Sequence, residues 1–384
     1  MYGLVLEGGG SRGSYQIGAC KALNELGLEI TSVAGTSVGA LNGAMVVQGD
    51  VDKAYDIWYD INPNRVMKMA EDELASFVEN AFKPDALRIL IRKMKKVITD
   101  GGLNVEPLVE LVKNVLDEER IRKSPIGFGV VTVDITERKA VEIYKEDIPV
   151  GQLADYVIAS ASFPAFKRVV IDGKAYIDGA LYNVLPINMV SSKGYKDIIC
   201  IRTFGMGIKR RIDTTGLNII NISPTVSLGS AMDFSTETSR KNLKMGYFDA
   251  YKSFKKLKGV KYYITPMNDD RFFINYLANM SDIKVQRLYK LFGLNTDSKR
   301  AIFEEIVPKL AFLLGLPAKS SYEDIAIGLL ERIADSLGIE RFKFYKVEDL
   351  YNMILQRRKQ LPGAVRDKLL VGIANEVFTN QTNI

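Results

Sequence analysis

Gly35-Thr36-Ser37-Val38-Gly39 has the G-x-S-x-G spacing of a sharp strand-to-helix turn that presents a serine as nucleophile. Positions two residues either side of such a serine crowd each other, and Gly35 and Gly39 meet that demand. A serine hydroxyl attacks poorly until a base takes its proton, and the usual base is an imidazole. The 384-residue chain contains no histidine. Its base must come from Asp, Glu, Lys or Tyr.

Two aspartates compete for that role. Val169 to Ile177 predicts a β-hairpin with Asp172-Gly173 at its turn, which gives Asp172 a structural task. Asp178 precedes Gly179 and Ala180 with no returning strand behind it, so it is the better general base; capping the next turn is its structural alternative. A carboxylate near its ordinary pKa of about 4 is a weak base for a hydroxyl. Partial burial would raise it.

Gly8-Gly9-Gly10-Ser11-Arg12-Gly13 falls between a predicted strand and a predicted helix, where unpaired N–H groups converge on something anionic. The run also satisfies G-x-G-x-x-G. A dinucleotide site, however, wants an acid at the end of the second strand, where this chain has Gly35-Thr36-Ser37. Ser14 follows Gly13 where a P-loop needs lysine, which excludes that motif. The glycine run is therefore read as an oxyanion hole. Ser11 and Ser14 are expected to be helix caps.

The elements that would position these groups alternate. Tyr2 to Leu6 and Ile30 to Ala34 read as buried strands, each followed by a helix, Ser11 to Leu26 and Val38 to Val47. Strand, helix, strand, helix predicts a three-layer α/β/α domain with a mainly parallel central sheet. Further strands are expected at Ile126 to Val133, Ala140 to Tyr144, Ile198 to Arg202, Asn218 to Ile222 and, as the last, Val260 to Thr265. Residues 55–122 read as a helical insertion or cap. The hydrolase domain is expected to span 1–266, and 267–384 an all-helical appendage with five helix-like segments from Ile283 to Phe378.

Composition sets outer limits. The chain is 47% hydrophobic, and 52 basic against 46 acidic side chains leave a net charge of +6, mostly interspersed. That balance gives no reason to expect a nucleic-acid partner. Cys20 and Cys200 are too few for a disulfide framework and lack metal-ligand spacing, so a cytoplasmic protein without metal or cofactor is expected. The start reaches Glu7 too soon for a signal peptide. Ile30 to Gly49 is uncharged over 20 residues but holds four glycines and six polar side chains, and it reads as strand, turn and helix rather than a membrane span.

Together these blocks resemble the patatin-like phospholipase family, whose acyl hydrolases use a Ser-Asp dyad and a G-G-G-x-R/K-G oxyanion loop. Gly8 to Gly13 resembles the loop, Gly35 to Gly39 the elbow, and Asp178-Gly179-Ala180 the family's D-G-G/A block. Ala159-Ser160-Ala161-Ser162-Phe163-Pro164-Ala165-Phe166 is similar to its A-S-x-A-x-P-x-x-F segment with shifted spacing, and is assigned a role in the wall of the site. The resemblance runs from Met1 to about Arg202. It implies Ser37 as nucleophile, Asp178 as base, Gly9 and Gly10 as the principal oxyanion donors, and Arg12 as a loop stabiliser or phosphate contact. The implied substrate is a phospholipid or lysophospholipid ester. A nonlipid carboxylesterase with the same dyad, and a catalytically idle lipid-binding scaffold, are the alternatives.

Access to lipid would need a surface. Leu87, Leu90, Ile91, Met94 and Ile98 form an apolar stripe beside Arg92, Lys95 and Lys96, which suits transient contact with the inner face of a membrane or packing on the domain itself. Trp58 and Phe77 in the same insertion are candidates to line an acyl channel, though core packing is the simpler expectation.

Overall fold

The computed structural model describes residues 1–68, 103–267, 269–317, 319–360 and 372–373. The Leu87 to Ile98 stripe and Phe77 lie outside the described residues, as does nearly all of the segment Ala364 to Phe378. The chain divides into two compact units, Met1–Ser253 and Phe254–Ile384.

The first unit is built on an eight-stranded sheet of β1 (Tyr2–Leu6), β2 (Ile30–Thr36), β3 (Gly127–Asp134), β4 (Lys139–Tyr144), β5 (Val169–Ile171), β6 (Lys174–Asp178), β7 (Asp197–Ile201) and β8 (Asn218–Ile222). Their order is β5-β6-β3-β2-β1-β7-β8, with β4 also paired to β3. The five strands from β3 to β8 through the centre are parallel, and β4, β5 and β6 are antiparallel additions. Alternation along the strands supplies two apolar faces. Val5, Ala34, Val131, Ile198 and Cys200 pack with the helix Ile187–Ser191. On the other face Leu6, Val33 and Phe128 lie close under Gly43 of α2 (Val38–Gln48), completing three layers.

Register brings the two catalytic candidates together. β4 lines one edge of β3 from Gly129 to Asp134, so β2 and β6 share the other edge. β2 runs parallel to β3 and ends at Thr36 opposite Val131, whereas β6 runs antiparallel and ends at Asp178 opposite Thr132. The two C-terminal ends therefore meet head-on. The predicted hairpin joins β5 and β6, with Asp172 at φ 49° and Gly173 at φ 77° in its turn.

In the second unit, helices Asp282–Phe292, Tyr322–Ser336 and Val347–Gln360 form as the spacing predicts. Lys299 to Leu314 contains a π-helical turn, Ile302–Ile306, followed by Val307–Leu313. Pro308, which has no N–H to donate, sits just after the widened turn. An additional helix, Asp270–Ala278, had no strong sequence signal.

The unit is not wholly helical. The strand expected at Val260 to Thr265 is β9 (Tyr263–Thr265), and it pairs in parallel with β10 (Phe344–Lys346) instead of joining the main sheet. The reason is burial, since Tyr262, Ile264 and Tyr345 belong to the same apolar core as Ile325, Leu330 and Ile333. Among the described residues no helix is long and apolar enough to cross a membrane.

Candidate active site

Ser37 sits between β2 and α2 at φ 59° and ψ −130°. A non-glycine residue in that region is strained by roughly 1–3 kcal/mol and persists only where its surroundings fix it. A Cβ on Gly35 would stand 2.2 Å from the Gly39 carbonyl oxygen, and one on Gly39 would stand 2.2 Å from that of Leu6. Both glycines are therefore obligatory for the turn. Thr36 is buried, and its hydroxyl donates to the Asn183 carbonyl at 2.8 Å. Val38, also buried, opens α2.

The Ser37 hydroxyl donates to Asp178 Oδ2 at 2.8 Å, and both residues are buried. Asp178 Oδ1 accepts from the Ala180 N–H at 2.8 Å. Capping and contact with Ser37 are thus not alternatives, because each uses a different oxygen. Gly179 is required for close approach rather than for a positive φ: a Cβ there would lie 2.1 Å from the Val131 carbonyl oxygen. Asp172, by contrast, is exposed and accepts from the Gln152 side chain.

Burial pushes the Asp178 carboxyl up from 3.8 to about 6, against the Ala180 and Ser37 hydrogen bonds that favour its charged form. This reverses the usual linkage. Between pH 3.8 and about 6 the folded chain keeps a proton that the unfolded chain has released, so the group's contribution to stability falls as pH rises through that window. A displacement of about two pH units corresponds to ~3 kcal/mol. Asp178→Asn is expected to melt above the native chain at pH 8 and level with it near pH 3, as read by thermal unfolding at both values. Equal melting at pH 8 would contradict this.

The glycine loop runs beside the pair. A Cβ on Gly8 would lie 3.3 Å from Ser37 Cβ, so nothing larger separates the two segments. The Gly8 N–H is committed to the Val184 carbonyl at 3.0 Å and that of Ser11 to Ala231 at 2.8 Å. The Gly13 N–H closes onto the Gly10 and Ser11 carbonyls. Among the described residues the N–H groups of Gly9 and Gly10 have no hydrogen-bond partner. Gly10 is held at φ 59°, where a Cβ would also strike the Ala231 carbonyl.

Arg12 fastens the loop. Its guanidinium donates to the Gly229, Thr203 and Phe204 carbonyls at 2.9, 3.2 and 2.8 Å. Burial lowers its pKa while Glu7 raises it. Neither serine of the loop is a helix cap: Ser11 donates to the Ser230 carbonyl and Ser14 to the Ser11 carbonyl. Trp58 donates from Nε1 to Asn42 Oδ1, which ties the insertion to α2.

Two further supports complete the site, one in the run assigned to its wall and one, Glu7, with no strong signal in the sequence. Ser160 Oγ accepts from the Ser37 N–H at 2.9 Å and donates to the Val131 carbonyl at 2.6 Å, while the Ser162 carbonyl takes the Asp178 N–H at 2.9 Å. The A-S-A-S run therefore holds the backbone of both candidates. Glu7 is buried against Arg202 through two 3.0 Å bonds and also accepts from the Thr203 and Phe204 N–H groups at 2.7 and 2.9 Å. Phe204 is thereby fixed at φ 50°, a conformation a bulky side chain rarely adopts.

A buried serine and aspartate, an elbow and a glycine loop occur together over the segment matched by the family model "Patatin-like phospholipase", residues 4–191. Over those residues the chain belongs to the patatin-like phospholipase family. The chain is 28% identical over 201 residues to "Patatin-like phospholipase domain-containing protein 7" of Rattus norvegicus, covering 52% of this chain and 13% of that one. It is 26% identical over 185 residues to an "Uncharacterized NTE family protein" of Mycobacterium bovis, covering 48% of this chain and 44% of that one. The chain thus spans well under two thirds of these relatives' lengths. Among solved structures, VipD from Legionella pneumophila aligns over 98% of this chain and 90% of its own at 14% identity and a TM-score of 0.43.

Among the described residues no group of three His, Cys, Asp or Glu side chains is disposed to hold a metal ion. Both cysteines are free and buried, and burial pushes each thiol up to about 12.

Proposed function

We propose that this chain is a serine acyl hydrolase that cleaves fatty-acyl ester bonds of phospholipids or lysophospholipids. The observation that carries the proposal is the 2.8 Å contact from Ser37 Oγ to Asp178 Oδ2 on a strained elbow, with the carboxyl raised to about 6. A carboxylate so raised is a stronger base, yet it is still ionised near neutral pH.

Ser37 Oγ attacks the ester carbonyl as Asp178 Oδ2 takes its proton, and the Gly9 and Gly10 N–H groups bind the developing oxyanion. Collapse of the tetrahedral species expels the alcohol, which leaves with the proton from Asp178. Water then gives a proton to Asp178 and attacks the acyl-serine; the second collapse frees the fatty acid and returns the proton to Ser37. These steps call on the chain's own groups alone. The buried free thiols suit a reducing cytoplasmic setting.

A fluorophosphonate probe is expected to label the native chain and to fail on Ser37→Ala. Lipid extracts analysed by mass spectrometry with the Ser37→Ala protein as blank should then show loss of phospholipid and gain of free fatty acid. Absence of labelling on the native chain would defeat the proposal.

A further inference from the structure

Beside the Ser37–Asp178 pair, four large apolar side chains face solvent: Leu181 at 48% exposure, Phe204 at 55%, Met206 at 59% and Ile208 at 57%. Core packing does not account for them. They sit on two segments that are bonded to one another, since the Ile208 N–H donates to the Ala180 carbonyl and the Val184 N–H to the Ile208 carbonyl, both at 2.8 Å. The same stretch reaches the glycine loop, where Thr203 Oγ1 donates to the Gly8 carbonyl at 2.5 Å.

Lys209, Arg210 and Arg211 follow directly and are exposed, and no acidic residue lies between Asp197 and Asp213. Arg210 stacks over Tyr182, its guanidinium carbon 4.5 Å from the ring centroid, so one basic side chain is laid across the apolar segment. Exposed apolar side chains next to unopposed basic ones match a surface with an apolar interior and anionic head groups.

We propose that Leu181, Phe204, Met206 and Ile208, with Lys209, Arg210 and Arg211, form a docking surface for an anionic phospholipid bilayer. The apolar side chains enter the head-group boundary while the three cations remain at the phosphates. The loop's bonds to the glycine run and to the turn after Asp178 mean that docking sets these catalytic segments against the interface. The value of that placement rests on the acyl hydrolase reading; the binding itself does not.

The test uses the full chain carrying Ser37→Ala, so that vesicles survive, and measures co-sedimentation with phosphatidylcholine vesicles with and without phosphatidylglycerol. Binding is expected to require phosphatidylglycerol and to weaken by about tenfold or more with either Met206→Asp or Lys209→Glu/Arg210→Glu. Melting temperatures within about 2 °C of the parent certify that both variants fold. Undiminished binding by both folded variants, equal binding to pure phosphatidylcholine, or no binding at all would overturn the proposal, the last handing the patch to a protein partner. Vesicle binding without lipid hydrolysis by the Ser37 chain would defeat the hydrolase reading and leave this surface standing. Lipid hydrolysis by the Ser37 chain together with undiminished vesicle binding by both variants would do the reverse.

Discussion

Asp178→Asn is expected to lower kcat/KM for a soluble short-chain ester by about 10²–10⁴-fold, the range usual for loss of a general base. Asparagine keeps the oxygen that caps Ala180 and fills the same volume, so Ser37 should hold its place on the elbow. What is lost is the site that takes the proton. Only the ionised carboxylate can do so, and kcat/KM of the native chain should rise with pH, reach half its plateau near about 6 and stay level above it. The variant's residual rate, supplied by the glycine loop and substrate binding, should lack that inflection. A variant within threefold of native, or an unchanged pH profile, would remove Asp178 from the chemistry.

Glu7→Ala is expected to destabilise the chain by about 3 kcal/mol, measured by urea denaturation. The figure is the lower end for breaking a buried ion pair, because Arg202 keeps 15% side-chain exposure while Glu7 has 2%. Truncation strands the Arg202 charge and removes the acceptor for the Thr203 and Phe204 N–H groups. Since those residues brace the Gly8 and Arg12 contacts, fluorophosphonate labelling should fall together with stability. Glu7→Gln, which retains an acceptor oxygen, should lose less of both. A change below about 0.5 kcal/mol would show that Arg202 finds water or another partner at little cost.

The elbow and the glycine run are legible in sequence because their constraints are local. Close approach and left-handed backbone demand glycine at fixed spacings, and those spacings can be read along the chain. Asp178 is half legible: a hairpin turn disposes of Asp172, but the head-on meeting of β2 and β6 depends on their registers against β3. No local pattern encodes that register. Ser160 falls in a run assigned to the wall of the site, though its two hydrogen bonds are not legible there, and Glu7 looks like an ordinary residue at a strand's end. Their partners lie 123 and 195 positions away.

The second unit shows the same limit from the other side. Val260 to Thr265 is rich in the β-branched and aromatic residues a strand favours, yet that composition does not say which sheet receives it. The partner, β10, is only three residues long and escapes any periodicity argument. The unit's helices, whose hydrogen bonds close within four residues, are the readable part, with Asp270–Ala278 the exception.

Ser37 and Asp178 are 141 residues apart in the chain. At synthesis rates of about 5–20 residues per second, the ribosome delivers the serine roughly 7–30 s before its carboxylate. Throughout that interval the nascent chain carries a hydroxyl without the proposed base. Under the proposed mechanism reactivity would arrive only with β6, so chain order acts as a delay that withholds it until six of the eight strands of the main sheet have been made.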